Sequence, residues 1–547
     1  MIPRLKTFLR SAYWSQWPAW SRVALLGSLV GVVAGVLGSL LFQGVHYFEN
    51  VLLKGPLQIS EDLAGSFQLS PLAMLLILSI PALGGLAVGF IIKYACADVS
   101  GGGTTEILES YHHREAMMEG KLVPWKWLAS CLTVGTGGAG GNEGPVAQMG
   151  AAAGSWLAQK LELSAGERGL LFTAGVAGGI GAVFRAPLGG ALFACEMYYS
   201  NPELEDEALV PSLIAAVSAY TVFGLLNGFE PLLPGDSQLH LGLVNFLALA
   251  LVAVLCALGA RVYVAWLGYC AEAFKRWSPI RLWRPALGGL LTGAVALLLL
   301  LFAERYLNGS AMVLAVLSEG YPILRGAVTG NVLASVLGLV LVGKLLTSGF
   351  TVSSDGSGGV FAPSMVMGGA IGALASIGLA TLGYAEGAPK AYVLAGMAAF
   401  FVAGTACPLA SLIIITEVAQ GYHLLPALMW VVAIGYLLRP RPGLFKAQVP
   451  GSADSPVHRA ELESSFLRSR RVGALMRPTP GPQGRLRPRL AGLERRRRPR
   501  EALQPDQDLA SAVASLRQLG KEELPVLDER GAVLGRFGYR DLVGPLS

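Results

Sequence analysis

The residue best placed to do chemistry is Glu143, the one acid in the stretch Gly135–Gly154, GTGGAGGNEGPVAQMGAAAG, where it stands two residues before Pro145. Proline at a first helical position fixes φ without losing a hydrogen bond. The chain is therefore expected to run irregularly through Asn142 and to begin a helix near Pro145. Such a helix points its free N–H groups and positive dipole end back at the glycines, which carry no side chains to block an anion. Glu143 would then be a titratable carboxylate at the mouth of an anion site. The same stretch also suits a glycine-rich helix-packing interface with an N-terminal cap. Other chemistry has less support. The six cysteines (96, 131, 195, 256, 270 and 407) lie mostly in apolar segments, with no CxxC pair, and among six histidines only His112–His113 adjoin. That pattern disfavours a disulfide framework, a metal site or a nucleophile–base pair, and no cofactor is expected.

The elements that position Glu143 follow from composition. With 547 residues, 53% hydrophobic and 14% charged, and a mean hydropathy of +0.54, the chain reads as an all-α polytopic membrane protein. Residues 451–547 hold 18 Lys and Arg against 12 Asp and Glu, so the whole net charge of +6 sits in the tail. Arg4, Lys6, Arg10 and Arg22, with no acid, precede the first apolar run. Residues 1–22 are thus expected to be cytoplasmic, and the arginine-rich tail places the C-terminus on the same side, at the cell (inner) membrane.

Spans long enough to cross a bilayer are expected at about 23–48, 71–96, 208–227, 243–272, 283–303 and 328–347. Shorter apolar pieces of roughly ten to fifteen residues, punctuated by glycine or proline, fill 124–134, 145–160, 167–183, 187–200, 360–380, 390–404, 408–420 and 424–438. Interrupted backbone at membrane depth requires protein or a watery cavity around it, which points to a pathway; small residues also mark close helix packing. The chain repeats itself. PVAQMGAAAG (145–154) and PSMVMGGAIG (363–372) lie 218 residues apart, and AGVAGGIGAVFRAPL (174–188) and AGMAAFFVAGTACPL (395–409) lie 221 apart. Each Pro-Leu is followed by an acid, Glu196 or Glu417, nine residues after the proline. Corresponding broken segments in two halves (about 23–230 and 243–440) mark a transport site at the repeat interface. The spans do not settle whether the halves are antiparallel.

Beyond a membrane domain of 23–470, residues 471–547 form a small cytoplasmic α/β tail. An arginine-rich stretch, Arg485 to Arg500, leads to a helix at Asp508–Leu519, a strand at Glu523–Leu527, a turn at Asp528–Gly531, a strand at Ala532–Phe537 and a helix start at Arg540–Val543.

Three glycine-rich segments, SGGGTTE (100–106), GGNEGP (140–145) and GSGGVFAP (356–363), stand with GLFKAQV (443–449). Together they resemble the CLC family of chloride channels and chloride/proton antiporters, whose pathway is built from GSGIP, G-[R/K]-E-G-P, GxFxP and a late tyrosine. APLGGALFACE and ADSPVHR extend the likeness over about residues 20–460, and LPVLDERGAVLGRFGYRDLV resembles the second half of a CBS module. The resemblance implies an inverted repeat of broken helices and a homodimer with one pore per subunit. It places anion-binding positions at Gly101, Gly102, Gly103, Asn142, Glu143, Gly144, Gly359, Val360, Phe361, Ala362 and Phe445. The N–H groups of Val360 and Phe361 would hold the central anion, and Glu143 would be the gate and proton-coupling residue. Partners are then chloride or another small anion, protons, a second copy of the chain, the bilayer and, at the tail, a nucleotide; nucleic acid is not among them.

The sequence departs from the family pattern in four places. The serine hydroxyl of GSGIP falls on Gly102 and the tyrosine hydroxyl on Phe445, while Asn142 replaces the usual Arg or Lys before the gate. The inner proton-transfer glutamate falls on Met197, which cannot titrate; the nearby Glu203, Glu205, Asp206 and Glu207 are expected in a solvated loop. Proton-coupled chloride antiport is therefore the expected function, with a voltage- or pH-gated chloride channel and a fluoride/proton antiporter as alternatives. An integral membrane enzyme is the other-class alternative, and the chain is expected not to be an enzyme.

Overall fold

The structure is a computed structural model that describes residues 19–60, 63, 67, 69–233, 239, 242–278, 280–384, 389–458, 471–478, 502–528 and 533–542. The chain divides into two compact units, Met1–Gly451 and Ser452–Ser547.

The first unit is a helical duplication. Its first half runs α1 (Ala19–Phe48), α2 (Pro71–Tyr94), α3 (Thr104–His113), α4 (Leu122–Gly135), α5 (Glu143–Leu161), α6 (Ala165–Val183), α7 (Pro187–Glu196) and α8 (Asp206–Asn227). The second half runs α9 (Leu243–Trp277), α10 (Arg284–Tyr306), α11 (Tyr321–Val328), α12 (Ala334–Ser353), α13 (Phe361–Thr381), α14 (Pro389–Thr405), α15 (Pro408–Ala419) and α16 (Leu425–Leu437). Local chemistry sets the ends. Ser70 caps α2 by accepting from Ala73 N at 3.1 Å, and Ser164 and Glu167 form a reciprocal capping box on α6.

Among the described residues, seven helices are long and apolar enough to cross a membrane. They include α13, which covers the piece expected at 360–380 but is long enough to cross, where that piece was expected to be too short. α5 and α6 likewise run to 19 residues each. Glycines do not break these helices, because they lie where another backbone packs against them. A Cβ on Gly150 would fall 2.1 Å from the Gly175 carbonyl and one on Gly175 would fall 2.1 Å from the Gly150 carbonyl. Gly368 and Gly396 repeat that crossing between α13 and α14, with 2.3 and 2.1 Å. These pairs are the 218- and 221-residue repeats of the sequence, now seen as the same helix crossing built twice.

The two halves are antiparallel. α2 packs on its counterpart α10 with Gly85 against Pro285, Gly89 against Leu282, Gly289 against Pro81 and Gly293 against Ile77, a register that runs in opposite directions along the two helices. Glu196 at the end of α7 accepts from Leu409 N (3.1 Å) and Ala410 N (2.8 Å) at the start of α15. Glu417 in α15 accepts from Leu188 N (3.3 Å) and Gly189 N (2.7 Å) at the start of α7. The two acids nine residues after Pro-Leu thus cap each other's helices, a negative charge on each positive end.

All six cysteines are free and buried, and His112 Nε2 lies 3.2 Å from the Tyr198 carbonyl within the core. Among the described residues no group of three His, Cys, Asp or Glu could hold a metal.

In the second unit, β1 (Arg477–Pro478), β2 (Glu523–Leu527) and β3 (Val533–Gly538) form an antiparallel sheet ordered β1-β3-β2. Helix α17 (Leu509–Leu519) packs on it through Leu509, Ala512 and Leu516, against Leu524, Val526 and Phe537. Asp508 caps α17 by accepting from Ser511 N at 2.8 Å. The expected helix start at Arg540–Val543 is a 3-10 turn at Tyr539–Leu542. The arginine-rich stretch Arg485 to Arg500 and positions 529–531 of the expected turn lie outside the described residues.

Candidate functional site

The glycine-rich loops before α5 and α13 cross at the middle of the first unit. Gly141 N donates to the Gly359 carbonyl and Gly359 N to the Gly141 carbonyl, both at 2.8 Å. Two hydroxyls lock the crossing symmetrically. Ala139 N donates to Thr351 Oγ1 and Ser357 N to Thr133 Oγ1, both at 3.0 Å. Ala139 and Ser357, Gly141 and Gly359, and Thr133 and Thr351 are each 218 residues apart, so every element of this knot occurs twice.

At Gly144 the contact admits no side chain. A Cβ on Gly144 would fall 2.2 Å from the Gly102 carbonyl, and one on Gly359 would fall 3.1 Å from Gly144 N. Gly102, Gly144 and Gly359 are therefore in mutual contact, which joins the loop before α3 to the other two. Helices α5 and α13 both begin here, at Glu143 and Phe361, so two positive helix ends converge on one small volume. α5 starts two residues earlier than Pro145, which becomes its third residue.

Glu143 is 1% exposed. Its Oε1 accepts from the Tyr321 hydroxyl at the start of α11. Oε2 has no hydrogen-bond partner and lies over Gly141, where a Cβ would approach it to 1.9 Å. The backbone N–H of Ala362 faces the same carboxylate. Beside it, Asn142 is fully buried and neither atom of its amide is partnered. Val360, Phe361 and Ala362 continue into α13 directly after the crossing.

Phe361 sits among aromatic rings, with centroids at 5.1 Å from Phe193, 5.2 Å from Phe401 and 5.8 Å from Phe445. Phe445 is thus beside Phe361 and brings no hydroxyl. Gly101 and Gly103 both have positive φ, +66° and +86°. Met197, which ends α7, is fully buried, and its carbonyl accepts from Gln448 Nε2 at 3.0 Å.

One expectation is overturned at the acidic run. Glu205 is buried, not solvated, and accepts a hydrogen bond from the Tyr199 hydroxyl. Its own N–H donates to the Cys195 carbonyl at 3.0 Å, so the chain folds back over α7 and carries this acid inward. Asp206 and Glu207 remain exposed.

Sequence reading missed two buried lysines. Lys126 Nζ donates to the carbonyls of Val99 (3.0 Å) and Gly101 (2.8 Å), beneath the first glycine loop. Lys344 Nζ donates to Ala315 (3.2 Å), Leu317 (3.2 Å) and Ser318 (2.7 Å), just before Tyr321. They too are 218 residues apart, a signal that was available in the repeat offset. Tyr321 had no such signal, since its partner is 178 residues away.

Two cavities lie in the same unit. One of about 550 Å³ is lined by Ser100, Glu106, Gln148 and Arg281, where Arg281 donates to Ser100 Oγ at 3.0 Å. The other, about 340 Å³, is lined by Tyr321, Glu319, Glu49, Lys54, Arg185 and Arg325. A buried carboxylate beside two helix N-termini occupies the kind of place an anion would take.

Residues 84–439 match the family model described as voltage gated chloride channel. The chain is 25% identical over 429 residues to the H(+)/Cl(-) exchange transporter ClcA of Vibrio parahaemolyticus, covering 77% of this chain and 88% of that one. Among solved structures it resembles a slow cyanobacterial Cl-/H+ antiporter, with a TM-score of 0.66 and 21% identity over 81% of this chain and 98% of that one. A CLC-type fluoride/proton antiporter gives a TM-score of 0.65 and 20% identity over 78% of this chain and 98% of that one.

Proposed function

Because the chain belongs to the voltage gated chloride channel (CLC) family, and so is a membrane transporter or channel of anions and not an enzyme, we propose that it exchanges chloride for protons with Glu143 as the gate. The observation that carries this reading is the Glu143 carboxylate, buried between the starts of α5 and α13 with one oxygen unpartnered. In the ionised form it stands in for an anion at the outer of two positions, and the Tyr321 hydroxyl holds it there. Protonation removes the charge that the helix ends attract, so the side chain leaves and an anion takes its place. One site that accepts either an anion or the carboxylate couples the two fluxes without a separate valve.

The central anion is held by the N–H groups of Val360 and Phe361, beside the side-chain-free loop Gly101–Gly103. Backbone dipoles suit conduction, since they bind without the full charge that would trap the ion. The buried, unpartnered amide of Asn142 adds a neutral donor. The missing hydroxyls at Gly102 and Phe445 favour a second reading, in which the physiological anion is one less dependent on them than chloride, such as fluoride.

In this reading the protein is an inner-membrane homodimer with both ends cytoplasmic, and the tail is a partial CBS-like module for which a nucleotide is the ligand class to titrate. The deciding experiment measures anion and proton fluxes together in proteoliposomes. Glu143→Ala is expected to keep anion flux, lose its pH dependence and abolish proton movement; pH gating that persisted in this variant would refute the role of Glu143. Comparing chloride with fluoride in the same assay separates the two anion readings.

A further inference from the structure

The 340 Å³ cavity beside Tyr321 contains a second carboxylate, Glu319, that the gate just described does not use. Glu319 is half-buried, and among the described residues it has no hydrogen bond or ion pair. Its place in the fold is informative. It precedes Gly320, whose φ of +86° leads into α11, just as Gly103, also at +86°, leads into α3. Under the internal two-fold, Glu319 is therefore the counterpart of Gly102. One loop presents a bare backbone to the anion, and its mate presents an acid.

The positive groups nearby are committed elsewhere. Lys344 is held by the three carbonyls of the loop that carries Glu319. Lys54 pairs with Glu49 at 3.2 Å, and Arg185 donates to the Glu230 carbonyl. His46 and Arg325 complete the charged lining. Glu319 interacts electrostatically with Glu143, Glu49, Lys344 and Lys54, and Tyr321 with both Glu143 and Glu319. Glu319 thus lines the same cavity as Tyr321, whose hydroxyl donates to Glu143. With the N-terminus cytoplasmic, the segment Glu49–Lys54 that follows α1, and with it this cavity, faces outward.

We propose that Glu319 is the outer proton relay for Glu143, a role that rests on Glu143 being the titrating gate. Glu319 takes a proton from the external cavity, and its carboxylic O–H passes it through one water to the unpartnered Oε2 of Glu143. The Glu319 carboxylate left behind is reloaded from hydronium in the cavity. Glu143, now neutral, leaves the helix ends.

The test uses the full chain in proteoliposomes and follows chloride-driven proton flux against external pH. Glu319→Gln is expected to lower the proton flux at saturating external acid on the order of tenfold, the scale of a lost positioned proton donor. Glu319→Asp should recover part of it. Adding Glu319→Gln to Glu143→Ala should leave anion flux as in Glu143→Ala alone, which also shows that the variant folds. Unchanged proton flux in Glu319→Gln would overturn the relay. So would a shifted pH midpoint at unchanged maximal flux, since that is the mark of a purely electrostatic neighbour. A wild-type protein that moves anions but no protons would overturn the relay while leaving anion transport standing. Persistent pH gating in Glu143→Ala, by contrast, would remove the gate itself.

Discussion

Replacing Tyr321 with Phe removes one hydroxyl and leaves the ring in place. In the wild-type protein that hydroxyl donates to Glu143 Oε1, while Oε2 has no partner. The variant therefore leaves the blocking carboxylate without a direct side-chain donor. A hydrogen bond to a charged group is worth about 1.5–3 kcal/mol. Only the blocked state makes this bond, so the full amount is lost from that state. One pH unit corresponds to about 1.4 kcal/mol, so the pH at which flux is half-maximal should rise by roughly one to two units. At neutral pH the open population should grow on the order of tenfold or more. Anion flux measured in proteoliposomes between mildly acidic and alkaline pH reads this directly, with Glu143→Ala as the fully open reference. An unchanged profile would show that the backbone donors at the starts of α5 and α13 hold the carboxylate unaided. A midpoint moved to lower pH would mean that Tyr321 helps Glu143 to leave, and would refute the assignment.

The missing hydroxyls can be restored. A Cβ on Gly102 meets Gly358 O and Gly359 Cα at 3.4 Å, ordinary contact, so Gly102→Ser fits without strain. Together with Phe445→Tyr it should strengthen chloride binding by roughly tenfold or more, at on the order of 1 kcal/mol per neutral hydrogen bond; calorimetry showing tight chloride binding in the unmodified chain would undo that reasoning. On the opposite side of the pathway, Glu205 is the buried acid of its run. Glu205→Gln should slow proton flux severalfold, on the low side of what a positioned proton carrier supplies, and more than neutralising Glu203, Asp206 and Glu207 together; equal effects in the flux assay would return all four acids to the role of a surface charge cloud.

Much of the loop crossing could be read from local sequence, because backbone constraints leave local traces. Gly140 and Gly144 mark where chains cross too closely for a Cβ, against Gly358 and Gly102, and the structure brings the three glycine-rich segments into mutual contact. Pro145 lay within two residues of the helix start, because proline is restricted to the first turn. Lengths were read less well. α13 covers the expected residues but is one unbroken crossing helix, with Gly368 and Gly372 against α14 backbone, and composition alone does not separate a glycine that packs from one that breaks. Glu205 was placed in solvent on the strength of its acidic neighbours, although Tyr199 gives it a buried partner.

What the sequence by itself determined is the set of repeated parts: two copies of a broken-helix unit at offsets of 218 and 221, each with a glycine loop, a Pro-Leu helix and a terminal acid, and one copy with a carboxylate at the loop. Repetition is a comparison of the chain with itself and needs no coordinates. Only the tertiary structure decided how the copies meet. It made them antiparallel, turned Glu196 and Glu417 into caps for each other's helices, and set Tyr321 beside Glu143, with Glu319 in the cavity that Tyr321 lines. Those relations join side chains more than 170 residues apart. They arise from packing two halves about a common axis, and no local propensity encodes which residue of one half will face Glu143 of the other.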